Sequence, residues 1–292
     1  MNALYELPAP AKLNLFLHVV GRRADGYHLL QSVIVLIDWC DTLHVERRSD
    51  ARLARHDLGA VLPVDDLCLR AARALQRESG TGFGADISIV KRLPAGAGMG
   101  GGSSDAATTL LALNRLWRLY WPLPRLLAIG LALGADVPFF LAGNNAFVEG
   151  IGERLTPVHL PRQWLAVIKP AASVETRAIF ASPLLVRDKP AVILASFLAD
   201  ASASRGFGPD SFGRNDLQPP ATSQCGQIAE ACRWLEARFG NSRMTGSGSA
   251  VFAGAGTGVE PVKVLSVDLP PGWAGRMCRS LEQHPLREFA EG

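Results

Sequence analysis

A chain of 292 residues is long enough for one large domain or two ordinary ones with proper cores. Its 48% hydrophobic and 20% charged content is that of a soluble globular protein, and a net charge of +3 with dispersed Lys and Arg argues against a nucleic-acid partner. The start of the chain lacks a basic stretch followed by an apolar core. The longest apolar run, 126–135, is too short to span a bilayer and is ended by Asp136, so a cytoplasmic protein without a membrane partner is expected.

In chain order, residues 11–20 alternate. Leu13, Leu15, Leu17 and Val19 fall on one face and Lys12, Asn14, Phe16 and His18 on the other, which predicts a half-buried antiparallel strand. Lys12 and Asn14 then point together away from the core, a placement that surface solvation explains as readily as function. Residues 21–26, with Asp25-Gly26 as turn signal, read as a hairpin connection. The return strand is expected at 29–38 and a third at 42–47. Tyr27 and His28 open the return strand, where such a pair serves edge packing or stacks on a ring. Helical spacing of Leu67, Ala71, Ala74 and Leu75, acidic residues ahead and Gly80 behind predict a helix over 65–78, followed by a strand at 85–92.

Residues 94–107, PAGAGMGGGSSDAA, organise the rest. Backbone this rich in glycine packs no core but turns tightly and approaches a ligand closely. Ser103, Ser104 and Asp105 are helix-starting residues, so a helix is expected over 106–120. Free N–H groups at a helix start, with the positive end of its dipole, make an anion site. The loop therefore reads as a phosphate cradle. It is not a Walker A loop, because Ser103 rather than Lys follows Gly102. Gly96, Gly98 and Gly101 do fit the dinucleotide fingerprint, yet no acidic residue occurs from 106 to 135 to bind a ribose. A mobile linker fits poorly between a strand and a capped helix.

Another helix is predicted at 123–133, closed by Gly134. Asp136 follows, a lone carboxylate before Val137-Pro138-Phe139-Phe140, an expensive setting unless it is paired or used. It is either a helix-terminus residue or a base positioned near a cation. Strands are expected at 147–155 and 164–168 around a turn at 156–162, an irregular loop at 201–224 and an amphipathic helix at 227–239. Residues 244–252, MTGSGSAVF, place a Gly/Ser turn before a strand, to contact a phosphate or merely to reverse the chain. The five cysteines form no C-x-x-C pair and are expected as buried free thiols; the scattered histidines suggest no metal site.

Five signals now stand in one order: Pro10-Ala11-Lys12-Leu13-Asn14-Leu15, Arg23-Ala24-Asp25-Gly26-Tyr27-His28, the glycine loop, Gly134-Ala135-Asp136-Val137-Pro138-Phe139-Phe140 and Met244-Thr245-Gly246-Ser247-Gly248. Together they closely resemble the GHMP kinase superfamily, from residue 10 to about 253. The resemblance implies an α+β protein: an N-terminal α/β domain like ribosomal protein S5 domain 2 over 1–155 that holds ATP, and a C-terminal ferredoxin-like α+β domain over 156–292. It also implies a kinase that uses ATP and Mg²⁺ to phosphorylate an alcohol group. The A-K-L-N-L, D-G-Y-H and A-D-V-P-F-F segments resemble the branch acting on a cytidylated sugar alcohol in isoprenoid precursor synthesis.

By that resemblance Pro94, Ala95, Gly96, Ala97, Gly98, Met99, Gly100, Gly101, Gly102, Ser103 and Ser104 are the ATP-phosphate loop. Lys12 and Asp136 are the catalytic pair, and Asn14, Tyr27, His28, Thr176 and Phe180 contact the substrate. No metal is expected to be held by the protein itself, and a monomer or weak homodimer is expected. Ala97 stands where the family often has glycine, which would matter if that position needed a positive φ. Three alternatives stay open: a sibling kinase of homoserine, mevalonate or galactose type, a dinucleotide-dependent oxidoreductase, and a non-catalytic nucleotide sensor or S5-like RNA binder.

Overall fold

The computed structural model describes residues 1–203, 212–265 and 268–290. Its first half contains β1 (Ala3–Arg22), β2 (His28–Arg48), β3 (Leu53–Asp57), α1 (Leu67–Ser79), β4 (Gly84–Val90), α2 (Gly101–Leu116), α3 (Leu123–Leu133), α4 (Val137–Ala142), β5 (Ala146–Gly150) and β6 (Arg154–Pro157). The second half adds β7 (Trp164–Lys169), α5 (Thr176–Ala181), α6 (Leu194–Ala203), α7 (Gln218–Gln224), α8 (Gly226–Phe239), β8 (Arg243–Met244), β9 (Val251–Gly254) and β10 (Ala274–Arg279). The fold is α+β.

The first sheet runs β3-β4-β2-β5-β6 with β1 paired to β2, antiparallel except for β3 on β4. The strands expected at 29–38 and 42–47 are one strand, β2. Register shifts against β1, at Pro10/Ala11 and Asn14/Phe16 among others, let the long ribbon bend without ending. The second sheet, β10-β7-β9-β8, is antiparallel throughout.

The β1–β2 ribbon is buried on both sides. On one side Leu36 and Leu43, with Ile87 of the neighbouring β4, pack beneath the helices with Leu110, Phe139 and Phe140. On the other, Leu13, Phe16 and Val35 meet Leu165, Val167 and Phe252 of the second sheet. The far face of that sheet is covered by α8, through Ile228, Ala231 and Leu235. A half-buried β1 is therefore overturned: Lys12 and Asn14 are only 4% and 3% exposed, because the turn after β8 closes over them. Period-2 alternation reports two unlike faces, not what covers each.

Helix ends follow their caps. Asp66 accepts a bond from Leu69 N at 3.0 Å to start α1, and Gly80, at φ 65°, stops it. Helix α2 departs from the expected 106–120. It begins at Gly101 with Gly100 at φ 73° as its N-cap and ends at Leu116, so Ser103, Ser104 and Asp105 lie inside the helix rather than capping it. The expected loop at 201–224 contains α7 and the end of α6, and its residues 204–211 lie outside the described ones. The cysteines are free, with Cys68 and Cys278 buried and the other three half-buried. Among the described residues no helix is long and apolar enough to cross a membrane.

After β10 the chain returns to the first half. Leu286 and Ala290 join the core beneath α2, and a short 3-10 helix (Arg287–Ala290) closes it. His284 anchors this strap: its N–H donates to Gly143 O at 2.8 Å, and its Nδ1 accepts from Leu286 N at 3.0 Å. Its ring is 1% exposed, and burial pushes its pKa down to about 4. The neutral ring is thus the folded form, so stability from this group is complete above the unfolded value of about 6.5 and is lost as pH falls from there toward 4. We expect the unfolding free energy to drop by about 2 kcal/mol from this group between pH 7.5 and pH 5. His284→Asn keeps the acceptor and should remove that drop, as read from urea unfolding at the two pH values.

Candidate active site

The glycine loop connects β4 to α2. Gly96, Gly98 and Gly100 have φ of 62°, 73° and 73°, while Ala97 and Met99 between them are not in the left-handed region and bury their side chains in the core. Alternation of this kind turns successive N–H groups to one side and makes a concave nest for an anion. The carbonyls are spent on protein: Gly96 O accepts from Ser249 N at 3.1 Å, Ala97 O from Ala250 N at 3.1 Å and Met99 O from Lys12 N at 3.0 Å. Among the described contacts, no N–H from Gly98 to Ser103 donates to another backbone group. Ala97 fits because the left-handed positions are its neighbours.

A second glycine turn locks into the first. A Cβ on Gly98 would lie 2.5 Å from Thr245 O, and one on Gly246 would lie 2.8 Å from Gly98 O. The 244–250 turn thus braces the nest from the other half of the chain.

Lys12 lies below the nest, its stem against Gly100. Its Nζ donates to Asn14 Oδ1 at 2.7 Å and stands 4.0 Å from Asp136 Oδ2. Burial lowers the Lys12 pKa, and the Asp136 charge opposes that shift. Asp136 occupies the N-cap position of α4 but makes no side-chain cap bond, and its carboxylate is 42% exposed. Asn14 is held in turn. It donates to Ser32 Oγ at 2.8 Å, and Thr245 Oγ1 accepts its N–H at 2.9 Å.

Nest, Lys12 and Asp136 line one cavity of about 360 Å³, whose far wall includes Thr176 and Phe180. Among its described lining residues Lys12 is the one cation and Asp136 the one carboxylate. Thr176 Oγ1 lies 2.7 Å from Ser247 Oγ. His28 stacks on Phe180 at 4.9 Å and accepts from Arg187 Nε at 3.2 Å, which places its own proton on Nδ1. Burial, then the Arg187 and Arg22 charges, lower its pKa, so the ring is neutral. Neither His28 nor Tyr27, which is 62% exposed, lines the cavity itself. Pro94 and Ala95 lead into the nest without lining the cavity, and Ser103 and Ser104 continue into α2.

Two groups at the site escaped the reading of the sequence, and a third, Thr245, was read only as part of a turn. Ser32 and Thr245 complete the Asn14 network, and Asn215 Nδ2 bonds Met244 O and Gly246 O at 2.7 and 2.8 Å, fixing the second turn. Asn215-Asp216 inside the supposed irregular loop was the available signal, since a buried polar pair there requires partners.

The GHMP kinases N terminal domain family matches residues 66–144, and the GHMP kinases C terminal family matches 203–260. The 4-diphosphocytidyl-2-C-methyl-D-erythritol kinase of Methylibium petroleiphilum is 63% identical over 292 residues, covering 99% of each chain. That of Variovorax paradoxus is 56% identical, over 99% of this chain and all of the relative. A crystal structure of 4-(cytidine 5'-diphospho)-2C-methyl-D-erythritol kinase superposes with a TM-score of 0.74 at 36% identity, covering 86% of this chain and 90% of that one. Homoserine kinase from Cytophaga hutchinsonii shares the fold, with a TM-score of 0.68 at 14% identity over 97% of this chain and 96% of that one. With near-complete coverage at such identity, the chain is a small-molecule kinase and belongs to the 4-diphosphocytidyl-2-C-methyl-D-erythritol kinase family of the GHMP kinases.

Proposed function

We propose that this protein transfers the terminal phosphoryl group of ATP to the 2-hydroxyl of 4-diphosphocytidyl-2-C-methyl-D-erythritol, a step of isoprenoid precursor synthesis by the non-mevalonate route. The observation that carries the reading is the Asp136 carboxylate, unspent on its own helix and facing Lys12 in a cavity that also holds the nest. Phosphoryl transfer depends mainly on positioning and charge stabilisation. Asp136 takes the proton from the attacking hydroxyl. Lys12, kept in place by Asn14, favours the carboxylate beforehand and the developing alkoxide during transfer. The N–H groups of the nest and the start of α2 bind the ATP phosphates.

The donor set bears on the metal. Among the described residues no group of three His, Cys, Asp or Glu side chains is placed to hold an ion, and a single carboxylate lines the cavity. A Mg²⁺ brought in with the nucleotide would supply neutralising charge at the phosphates, and Asp136 is the one carboxylate among the cavity's described lining residues that could face it. Phe180 offers a ring face to the cytosine, and His28 Nδ1–H is a donor for its polar edge. Asn14, Tyr27 and Thr176 remain proposed contacts, with Tyr27 reached from outside the cavity. We place the division between ATP-binding and C-terminal domains at 155/156, the protein in the cytoplasm, and its working form as a monomer or weak homodimer, with neither nucleic acid nor membrane as partner. Purified protein with Mg-ATP and the cytidylated methylerythritol should give a product heavier by one phosphoryl group, and homoserine, mevalonate or galactose should not. Phosphorylation of a sibling alcohol instead would overturn the reading.

A further inference from the structure

Behind the phosphate nest lies a charged cluster that the proposed chemistry does not use. Asp41 of β2 is completely buried. Its Oδ1 accepts from the N–H groups of Arg92 and Leu93, at 2.6 and 2.8 Å, where the chain enters the loop. Its Oδ2 accepts from Lys91 Nζ, which also donates to Asp105 Oδ2 at 2.6 Å, where the chain leaves the loop as α2. Asp105 is 2% exposed, and its Oδ1 has no partner among the described residues. The cluster touches the loop directly, because a Cβ on Gly101 would lie 3.6 Å from Asp41 Oδ2.

Two carboxylates share one ammonium here. The other groups facing them do not change the balance. From α1 come Cys68, whose thiol burial pushes well above its usual range, and the cap Asp66. From the loop comes Arg92, which turns to Thr42 Oγ1 at 3.2 Å. A buried cluster with unequal charges becomes neutral only when one carboxyl takes up a proton. Asp105 is the one suited to do so, since Asp41 accepts two N–H bonds and Asp105 leaves an oxygen unbonded. In agreement, burial pushes the Asp105 carboxyl up to about 7, with Lys91 opposing and Asp41 adding to the rise. The same two carboxylates hold the Lys91 ammonium above its ordinary pKa in spite of its burial.

We propose that Lys91 is a positioning residue that ties the entrance of the phosphate loop to its exit, and that the loop takes up a proton at Asp105 when phosphates fill the nest. The inference rests on reading the loop as the ATP-phosphate site. Incoming negative charge raises the proton affinity of the nearest titrating acid, so the proton comes from solvent as the nucleotide binds.

The test is calorimetric titration of Mg²⁺ with the β,γ-imido analogue of ATP, in two buffers of equal pH near 7.5 that differ in ionisation enthalpy. The wild-type protein should take up about half a proton more per nucleotide bound than Asp105→Asn, an isosteric change that leaves no charge to titrate. Lys91→Met should raise the KM for ATP about tenfold while leaving the KM for the alcohol unchanged, a split that general loss of structure would not produce. Equal proton counts in wild type and Asp105→Asn, with binding intact in both, would overturn the proton linkage. Unchanged KM for ATP in folded Lys91→Met would remove Lys91 from its role. Absence of analogue binding to the wild type would instead overturn the phosphate-loop reading itself.

Discussion

Replacing Asp136 by Asn should lower turnover by about 10²–10⁴-fold while nucleotide binding stays near its original strength. The amide keeps the size and one acceptor oxygen of the carboxylate but cannot take a proton from the attacking hydroxyl. Folding should hardly change. The contact with Lys12 is 4.0 Å long, the carboxylate is 42% exposed, and α4 does not use it as a cap. The Lys12 pKa moves further down, because the charge that opposes its desolvation is gone. Single-turnover rates with saturating ATP, set beside analogue affinity, separate these effects. Turnover within threefold of wild type would strip Asp136 of the role of base.

The second large effect is expected at Gly98. Alanine there must adopt φ near 73°, and its methyl would stand 2.5 Å from Thr245 O and 3.0 Å from Gly248 N and O. All three are backbone atoms of the opposing turn, and neither turn can withdraw: the Met244 and Gly246 carbonyls are held by Asn215 and the Gly96 and Ala97 carbonyls by Ser249 and Ala250. Gly98→Ala should cost about 2–4 kcal/mol of stability and abolish measurable nucleotide binding. Gly102→Ala is the control for stability, since its methyl would meet Leu67 Cδ1 at an ordinary 3.6 Å within a helix. Urea unfolding of both variants reads the difference. Equal stabilities would mean that the two turns do not interlock.

The parts of the site legible in the sequence are those whose chemistry is local. A strand, a glycine run and a helix suggest an anion cradle through backbone freedom alone, and the structure has left-handed glycines between β4 and α2 at those positions. Asp136 stood out because a charge between apolar segments demands a reason. What the sequence hides is long-range covering. Lys12 and Asn14 read as pointing away from the core because nothing in residues 11–20 reveals that Thr245, more than two hundred positions later, bonds Asn14. Ser104 and Asp105 looked like helix starters, yet Gly100 with its positive φ begins α2 and turns them inward. Ala97 looked like a flaw in the loop. It is instead one of two side chains pinning the loop to the core between left-handed glycines.

The returning strap has a consequence for how the chain folds. Leu286 and Ala290 belong to the core under α2, Asn145 Nδ2 bonds Leu281 O at 2.8 Å, and Gly143 O accepts from His284 N. The helices of the first half are therefore sealed by residues far along the chain, with Asn145 and Leu281 lying 136 positions apart. The floor beneath α4, and with it the footing of Asp136, thus depends on long-range closure that local helix formation cannot supply.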